Sequence, residues 1–314
     1  MTLLLQYTII FASVLMLVAL GGCFAERSGV INIGLEGIMV IGALGGALVM
    51  KFLPVSVGAP VMVITTVLVS ALFGLVFSLL LAVAAINFKA DQTITGTAMN
   101  MLATAAATVA VKAMNTAASG GNDVSSDIAY THSKDLFIVR LGEFEFNWFM
   151  LVAVLCLAIS YVALYKTRFG LRLRACGEHP QAADSVGINV YKMRYAGVLI
   201  SGLLGGLGGI VYITAGVSVW KFENGVAGFG FLAMAVMIFG GWHPLKIALA
   251  SVLFGFFRAL GNVYSGFDFM LALNIPSVVY NMLPYIISLV VLAFTSKKSQ
   301  GPKASGIPYD KGTR

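Results

Sequence analysis

The 314-residue sequence predicts an all-α integral membrane protein, a polytopic bundle of about 8–10 transmembrane helices with broken or re-entrant elements among them. Three observations predict it. Only 11% of the residues are charged and 59% are hydrophobic, where a soluble chain carries roughly a quarter charged residues. Apolar stretches near the 20 residues that a helix needs to cross about 30 Å of hydrocarbon follow one another along the chain. Most of the charges fall between those stretches, as the cost of about 2.5–3.5 kcal/mol for a charge at the bilayer centre requires. Open sheets are excluded at that depth, because each backbone polar group must be satisfied internally.

Nine segments meet the criterion: Leu3 to Gly22, Val30 to Met50, Gly58 to Ile86, Thr93 to Ala113, Asn147 to Tyr165, Tyr195 to Val219, Val226 to Gly241, Pro244 to Tyr264 and Ser277 to Thr295. The first carries no charge before Glu26 and lacks the basic start of a cleavable leader, so it reads as a retained helix. The third is long enough to tilt, or to begin at the interface before Pro60. The seventh is short and glycine-bounded, the pattern of a broken helix. Residues 1–296 form the membrane domain on this reading, with a connecting loop at 166–194. Residues 297–314, rich in Lys, Ser, Gly and Pro, read as a disordered basic tail.

The net charge of +7 does not mark a nucleic-acid binder. More than half of the basic residues lie in Lys166 to Arg194 and Lys297 to Arg314, a distribution that reads as topology. Both clusters are expected on the cytoplasmic side, and the acidic stretch from Asn115 to Phe146 outside. Nine full crossings put the N-terminus outside; a re-entrant second segment puts it inside. The basic tail is also suited to anionic lipid.

Enzyme machinery is absent from the sequence. No G-x-x-x-x-G-K-[ST] phosphate loop is present, so the chain is not expected to hydrolyse ATP. His132, His179 and His243, and Cys23, Cys156 and Cys176, have no metal spacing. Glycines four residues apart, at Gly42 and Gly46, Gly202 and Gly206, and Gly205 and Gly209, let membrane helices approach closely. Asn32 and Glu36 stand among glycines in the stretch from Gly29 to Gly37, an expensive place for polar groups. Either they line a solute pathway or Glu36 is a helix N-terminal carboxylate. Thr93, Thr97 and Asn100 share one helical face, available to a solute or to a neighbouring helix. Arg258 lies within an apolar segment and needs a partner or an interface.

The stretch from Arg172 to Val190 is the most specific feature. It predicts a short helix started near Pro180 and stopped at Gly187. Here the chain resembles the permease subunits of ATP-binding cassette importers for branched-chain amino acids, simple sugars and nucleosides. The pattern R-A-x-G-x-x-x-x-A-A-x-x-x-G-I-N-V is met by Arg174, Ala175, Gly177, Ala182, Ala183, Gly187, Ile188, Asn189 and Val190. The resemblance extends to Glu26–Gly37, Asp91–Asn100 and Gly228–Gly241, and is strongest to nucleoside permeases. Ile94 and Thr95 depart mildly, standing where similar permeases often have Val and Ser.

The resemblance implies a second homologous permease, a cytoplasmic ATPase that uses the ATP, and an extracytoplasmic solute-binding lipoprotein. It implies no cofactor on this chain, a bacterial cytoplasmic membrane location and a cytoplasmic C-terminus. Arg174, Gly177, Glu178, Pro180, Ala182, Ala183, Gly187 and Asn189 become the expected ATPase-coupling residues. Asn32, Glu36 and Asn100 become the expected lining of the pathway, with Phe229 or Phe231 as stacking surfaces for a base.

Overall fold

The computed structural model describes residues 2–130, 133, 135–142, 144–215, 219–266, 276, 279–280, 282–287, 289 and 301–312. Its helices are α1 (Thr2–Arg27), α2 (Leu35–Phe52), α3 (Ala59–Ala82), α4 (Gln92–Ala118), α5 (Trp148–Tyr165), α6 (Arg168–Glu178), α7 (Pro180–Ser185), α8 (Val190–Thr214), α9 (Phe229–Phe239) and α10 (Pro244–Val263). Among the described residues seven of these, all but α6, α7 and α9, are long and apolar enough to cross a membrane. Four strands of three or four residues, β1 (Asp127–Ala129), β2 (Ile138–Leu141), β3 (Phe144–Asn147) and β4 (Val219–Lys221), form two antiparallel pairs, β1 with β4 and β2 with β3. Most of the ninth expected segment, Ser277 to Thr295, lies outside the described residues.

Glycine sets the packing. Helix α8 lies at the centre of the bundle, against α1, α2 and α3. A methyl group at Gly42 or Gly74 would run into the backbone of Gly206, and one at Gly209 would run into the backbone of Met39. Gly208 does the same for α1, where it faces Val18. These contacts realise the four-residue spacing: bare backbone on α8 lets three neighbours approach, gaining dispersion contacts that lipid tails cannot supply. Outward positions on α3 (Ile64, Leu68, Leu72, Val76) and α5 (Leu151, Val154, Leu155, Ile159) are exposed and bulky, as a lipid boundary demands.

Two helical elements are interrupted. Between α1 and α2, residues 28–34 run without helix, and α2 starts only at Leu35. Helix α9 has 11 residues, a length of roughly 16 Å, about half the hydrocarbon thickness. Helix α3 ends in a π-type turn, Val83–Asn87, where Phe88 N–H reaches the Val83 carbonyl at 3.2 Å.

The ends of the bundle differ in charge. One face gathers Arg27, Lys89, Arg168, Arg172, Arg174, Lys192, Arg194, Lys246, Lys303 and Lys311, which outnumber Glu26, Asp91, Glu178, Asp184 and Asp310 on the same end. The opposite face gathers Asp123, Asp127, Asp135, Glu145 and Glu223, with Lys51, Lys112, Arg140 and Lys221. The start of α1 lies by the second face, where Leu3, Gln6 and Tyr7 meet Ile138, Glu145 and Asn147 around a small cavity of about 150 Å³. Thus α1 runs from one end of the bundle to the other, and the interruption after it turns back into the bundle from the basic face. The second segment is therefore broken, yet its helix, α2, is still long and apolar enough to cross a membrane.

One expectation is corrected. Residues 301–312, read as disordered from their composition, are packed on the basic face: Ala304 and Tyr309 are buried, and Tyr309 sits among Cys176, Ala183 and Val190. A single buried aromatic ring and backbone hydrogen bonds to distant elements supply what low mean apolarity concealed.

Candidate functional site

The interrupted segment climbs into the bundle with its backbone groups satisfied by side chains from other elements. Ile31 N–H donates to Gln92 Oε1 at 2.7 Å, the Ile33 carbonyl accepts from Asn100 Nδ2 at 3.0 Å, and Gly37 N–H donates to Asn100 Oδ1 at 2.8 Å. Asn32 Nδ2 donates to Ser201 Oγ on α8 at 2.8 Å, while its buried Oδ1 has no hydrogen-bond partner among the described residues. Asn100 thus acts as a surrogate backbone, replacing ladder bonds lost at the break. Small residues permit the approach: a methyl group at Gly37 would lie 2.8 Å from the Met99 carbonyl, and one at Gly96 2.8 Å from the Gly34 nitrogen. Of Thr93, Thr97 and Asn100, Asn100 turns toward the break, and Thr93 and Thr97 remain exposed.

Glu36 reaches the start of α9. Its Oε1 accepts from Gly228 N–H and its Oε2 from Gly230 N–H, each at 2.7 Å. A carboxylate placed on free N–H groups at a helix start is favoured by both hydrogen bonding and the helix dipole. Glu36 stands in the first turn of its own helix, α2, but the N–H groups it serves belong to the start of α9, where Gly228 lies 192 residues from it in sequence. Gly228 adopts a left-handed conformation (φ +79°) to aim these groups. A methyl group at Gly230 would come within 2.5 Å of the Glu36 nitrogen.

The two aromatic candidates separate. Phe229 is fully buried, its ring 5.7 Å from Phe11 and 4.4 Å from Tyr212, so it is a packing residue in this conformation. Phe231 is 47% exposed. The Arg258 guanidinium lies over the rings of Phe11 and Phe229, at 5.8 and 5.4 Å, which answers part of its need for a partner within the bundle.

On the basic face, α6 and α7 form a projection. Thr167 caps α6 and Asn189 caps α8, the latter through Lys192 N–H at 3.0 Å. Pro180 opens α7. Gly187 (φ +85°) closes it, with Gly187 N–H bonded to the Asp184 carbonyl and Ile188 N–H to that of Ala183. This bond pair is a Schellman motif, which glycine allows and other residues resist. Pro180 and Ala183 face inward, whereas Gln181, Ala182, Ser185 and Val186 face outward, Val186 being 76% exposed. Arg174 lies over the Tyr165 ring at 4.6 Å and does not project.

A continuous set of contacts joins this projection to α9. Gly177 backs onto the Arg27 backbone, and Glu178 pairs with Arg27 at 3.8 Å. Arg27 donates to the Trp242 carbonyl at 3.1 Å, and Glu26 accepts from the Trp242 indole N–H at 2.6 Å. Trp242 forms the turn between α9 and α10, just past the end of α9 at Phe239, and the start of α9 rests on Glu36. Beside the turn, the His243 ring lies 4.8 Å from that of Tyr165, tilted against it by 40°, and burial, with Lys246 and Arg27 nearby, pushes its pKa below the usual histidine value. Sequence reasoning missed Glu26, Arg27 and Trp242 as a unit; the flanking Arg27 and the glycine pair before Trp242 were the available signals.

A bundle with interrupted helices and a projecting helical segment on one basic face describes a membrane transport subunit. Residues 4–294 match the family described as branched-chain amino acid transport system / permease component, and the chain belongs to that family. It is a multi-pass membrane permease subunit and not an enzyme. Among curated relatives, it is 41% identical to the guanosine ABC transporter permease protein NupQ of Bacillus subtilis, over 100% of this chain and 98% of the relative. It is 39% identical to the nucleoside ABC transporter permease protein NupC of Lactococcus lactis, over 96% and 95% of the two chains. A second Lactococcus lactis protein, the nucleoside ABC transporter permease protein NupB, is 24% identical over 96% of this chain and 82% of its own length. No solved structure matches the chain.

Proposed function

We propose that this chain is one of two dissimilar permeases of a bacterial nucleoside importer, with purine nucleosides as its foremost substrates. A solute-binding lipoprotein delivers the nucleoside on the outer side, and a separate ATPase grips α7 on the cytoplasmic side, where the C-terminus also lies. The full-length similarity to permeases of guanosine and nucleosides carries the substrate class. The second permease is supported by the pair of unequal relatives in Lactococcus lactis.

The site's electrostatics agree with a neutral solute. A helix start inside a membrane attracts an anion, but the start of α9 already holds the Glu36 carboxylate. A nucleoside needs no negative charge to occupy such a site, whereas an amino-acid carboxylate would meet Glu36. Asn32, Glu36 and Asn100 thus shape the break at the pathway and hold its backbone open. The outward face of α4, with Thr93, Thr97, Met101 and Ala105 exposed where α3 shows Leu and Ile, faces the solute and the second permease.

Closure of the ATPase on ATP presses α7, and the contacts through Gly177, Glu178, Arg27 and Trp242 carry the displacement to α9 and its Glu36 clamp. ATP moves the population between outward and inward access because the ATPase holds α7 differently in each state. Affinity purification from the native membrane, followed by reconstitution with the co-purifying ATPase, permease and lipoprotein, tests the reading. Labelled guanosine uptake should resist excess ribose and leucine. Competition by either one, without competition by nucleosides, would replace the proposed substrate class.

A further inference from the structure

Residues 301–312 touch α6, α7, the start of α8, the interrupted segment and the turns after α3 and α9. Gly301 lies against the Trp242 ring, and Ala304 N–H donates to the Gly177 carbonyl at 2.8 Å. Gly306 N–H donates to the Gly29 carbonyl at 3.3 Å, on the interrupted segment. The Ile307 carbonyl accepts from Arg194 Nη1 at 2.9 Å, at the start of α8. Tyr309 is 4% exposed beneath Ala183 of α7, edge-on to Tyr191 at 5.3 Å. Asp310 pairs with Lys89, in the turn between α3 and α4, at 2.8 Å.

Resting on the docking role of α7, we propose that this segment is a positioning strap that fixes α7 to the interrupted segment and to α8, so that displacement of α7 reaches the pathway instead of dissipating. Three observations carry it. A helix of six residues cannot hold itself, and Tyr309 supplies its underside. Arg194 is 1% exposed, and the strap's Ile307 carbonyl is its one hydrogen-bond acceptor among the described residues, so the strap and α8 are tied by the cost of a stranded buried cation. The strap lies behind α7, leaving Gln181, Ala182, Ser185 and Val186 open, which is the geometry of a brace and not of a plug.

The test is the amount of solute moved per ATP hydrolysed, measured on the complete transporter in proteoliposomes. Tyr309→Ala should lower that ratio about fivefold or more, with ATP hydrolysis and subunit assembly held within about twofold, and Tyr309→Phe should restore it. Lys89→Glu, a change at an exposed pair that leaves folding intact, should lower the ratio about two- to threefold, and Lys89→Glu combined with Asp310→Lys should recover it. An unchanged ratio in Tyr309→Ala overturns the strap. Where Tyr309→Ala fails to assemble, an unchanged ratio in Lys89→Glu, or no recovery in the double variant, overturns it. Gly187→Pro in the same preparations separates the two ideas: if it uncouples and the strap variants do not, the strap alone is lost, and if none uncouples, the docking role of α7 is lost with it.

Discussion

At the scale of single residues, the polar groups inside the bundle hold backbone that the helices have released. Glu36 makes this most plainly, because both its oxygens serve N–H groups of α9. Glu36→Ala should therefore destabilise the chain by about 1–3 kcal/mol, the cost of leaving buried donors unmet. Thermal unfolding in detergent without solute reads this directly, and an unshifted midpoint would leave Glu36 as a solute ligand only. His243 gives a second prediction. Its lowered pKa means that the folded state resists protonation, so the stability linked to it is present above the unfolded value of about 6.5 and declines as pH falls below it. Facing it are Tyr161 and Tyr165 of α5, Arg27 of α1 and Lys246 of its own helix. Melting midpoints between pH 7.5 and 5.5 should fall more steeply in the parent than in His243→Phe, and parallel slopes would contradict the assignment.

At the scale of elements, local chemistry wrote some features into the sequence and tertiary contact wrote others. The limits of α7 were legible because Pro180 and Gly187 act on their own backbone, one by its fixed φ and the other by its left-handed conformation. Gly187→Pro removes that conformation and the bond to Asp184, and transport per ATP should fall on the order of tenfold while insertion stays normal. Equal ratios in parent and variant would deny α7 its role. The glycine spacing of α2 and α8 was legible for the same reason, and Gly206→Ala should cost about 1–3 kcal/mol by pushing α3 off α8 at Ser70 and Gly74. Which helix Glu36 would cap was not legible, since no periodicity links Glu36 to Gly228. The fold of 301–312 was hidden too, because composition averages over the one ring, Tyr309, that matters. Which of Phe229 and Phe231 is buried was not legible either, because a glycine-flanked aromatic looks the same whether it packs inward or outward.

At the scale of the whole molecule, an asymmetric bundle has its apolar surface turned to lipid on α3 and α5, its interrupted helices inside and its basic projection at one end. The chain belongs to the permease family, and in the proposed importer a separate ATPase supplies the work. The purified chain alone in liposomes should show no uptake of labelled guanosine, and uptake without ATPase would make it a free-standing carrier. The most direct test is the side and the protection of Val186. With Cys23, Cys156 and Cys176 replaced and a single cysteine at position 186, a membrane-impermeant maleimide should label inverted vesicles stripped of ATPase, lose access when the ATPase is restored, and leave right-side-out vesicles unlabelled. Labelling of the right-side-out vesicles, or labelling indifferent to the ATPase, would contradict the claim that α7 is the handle of a cytoplasmic motor.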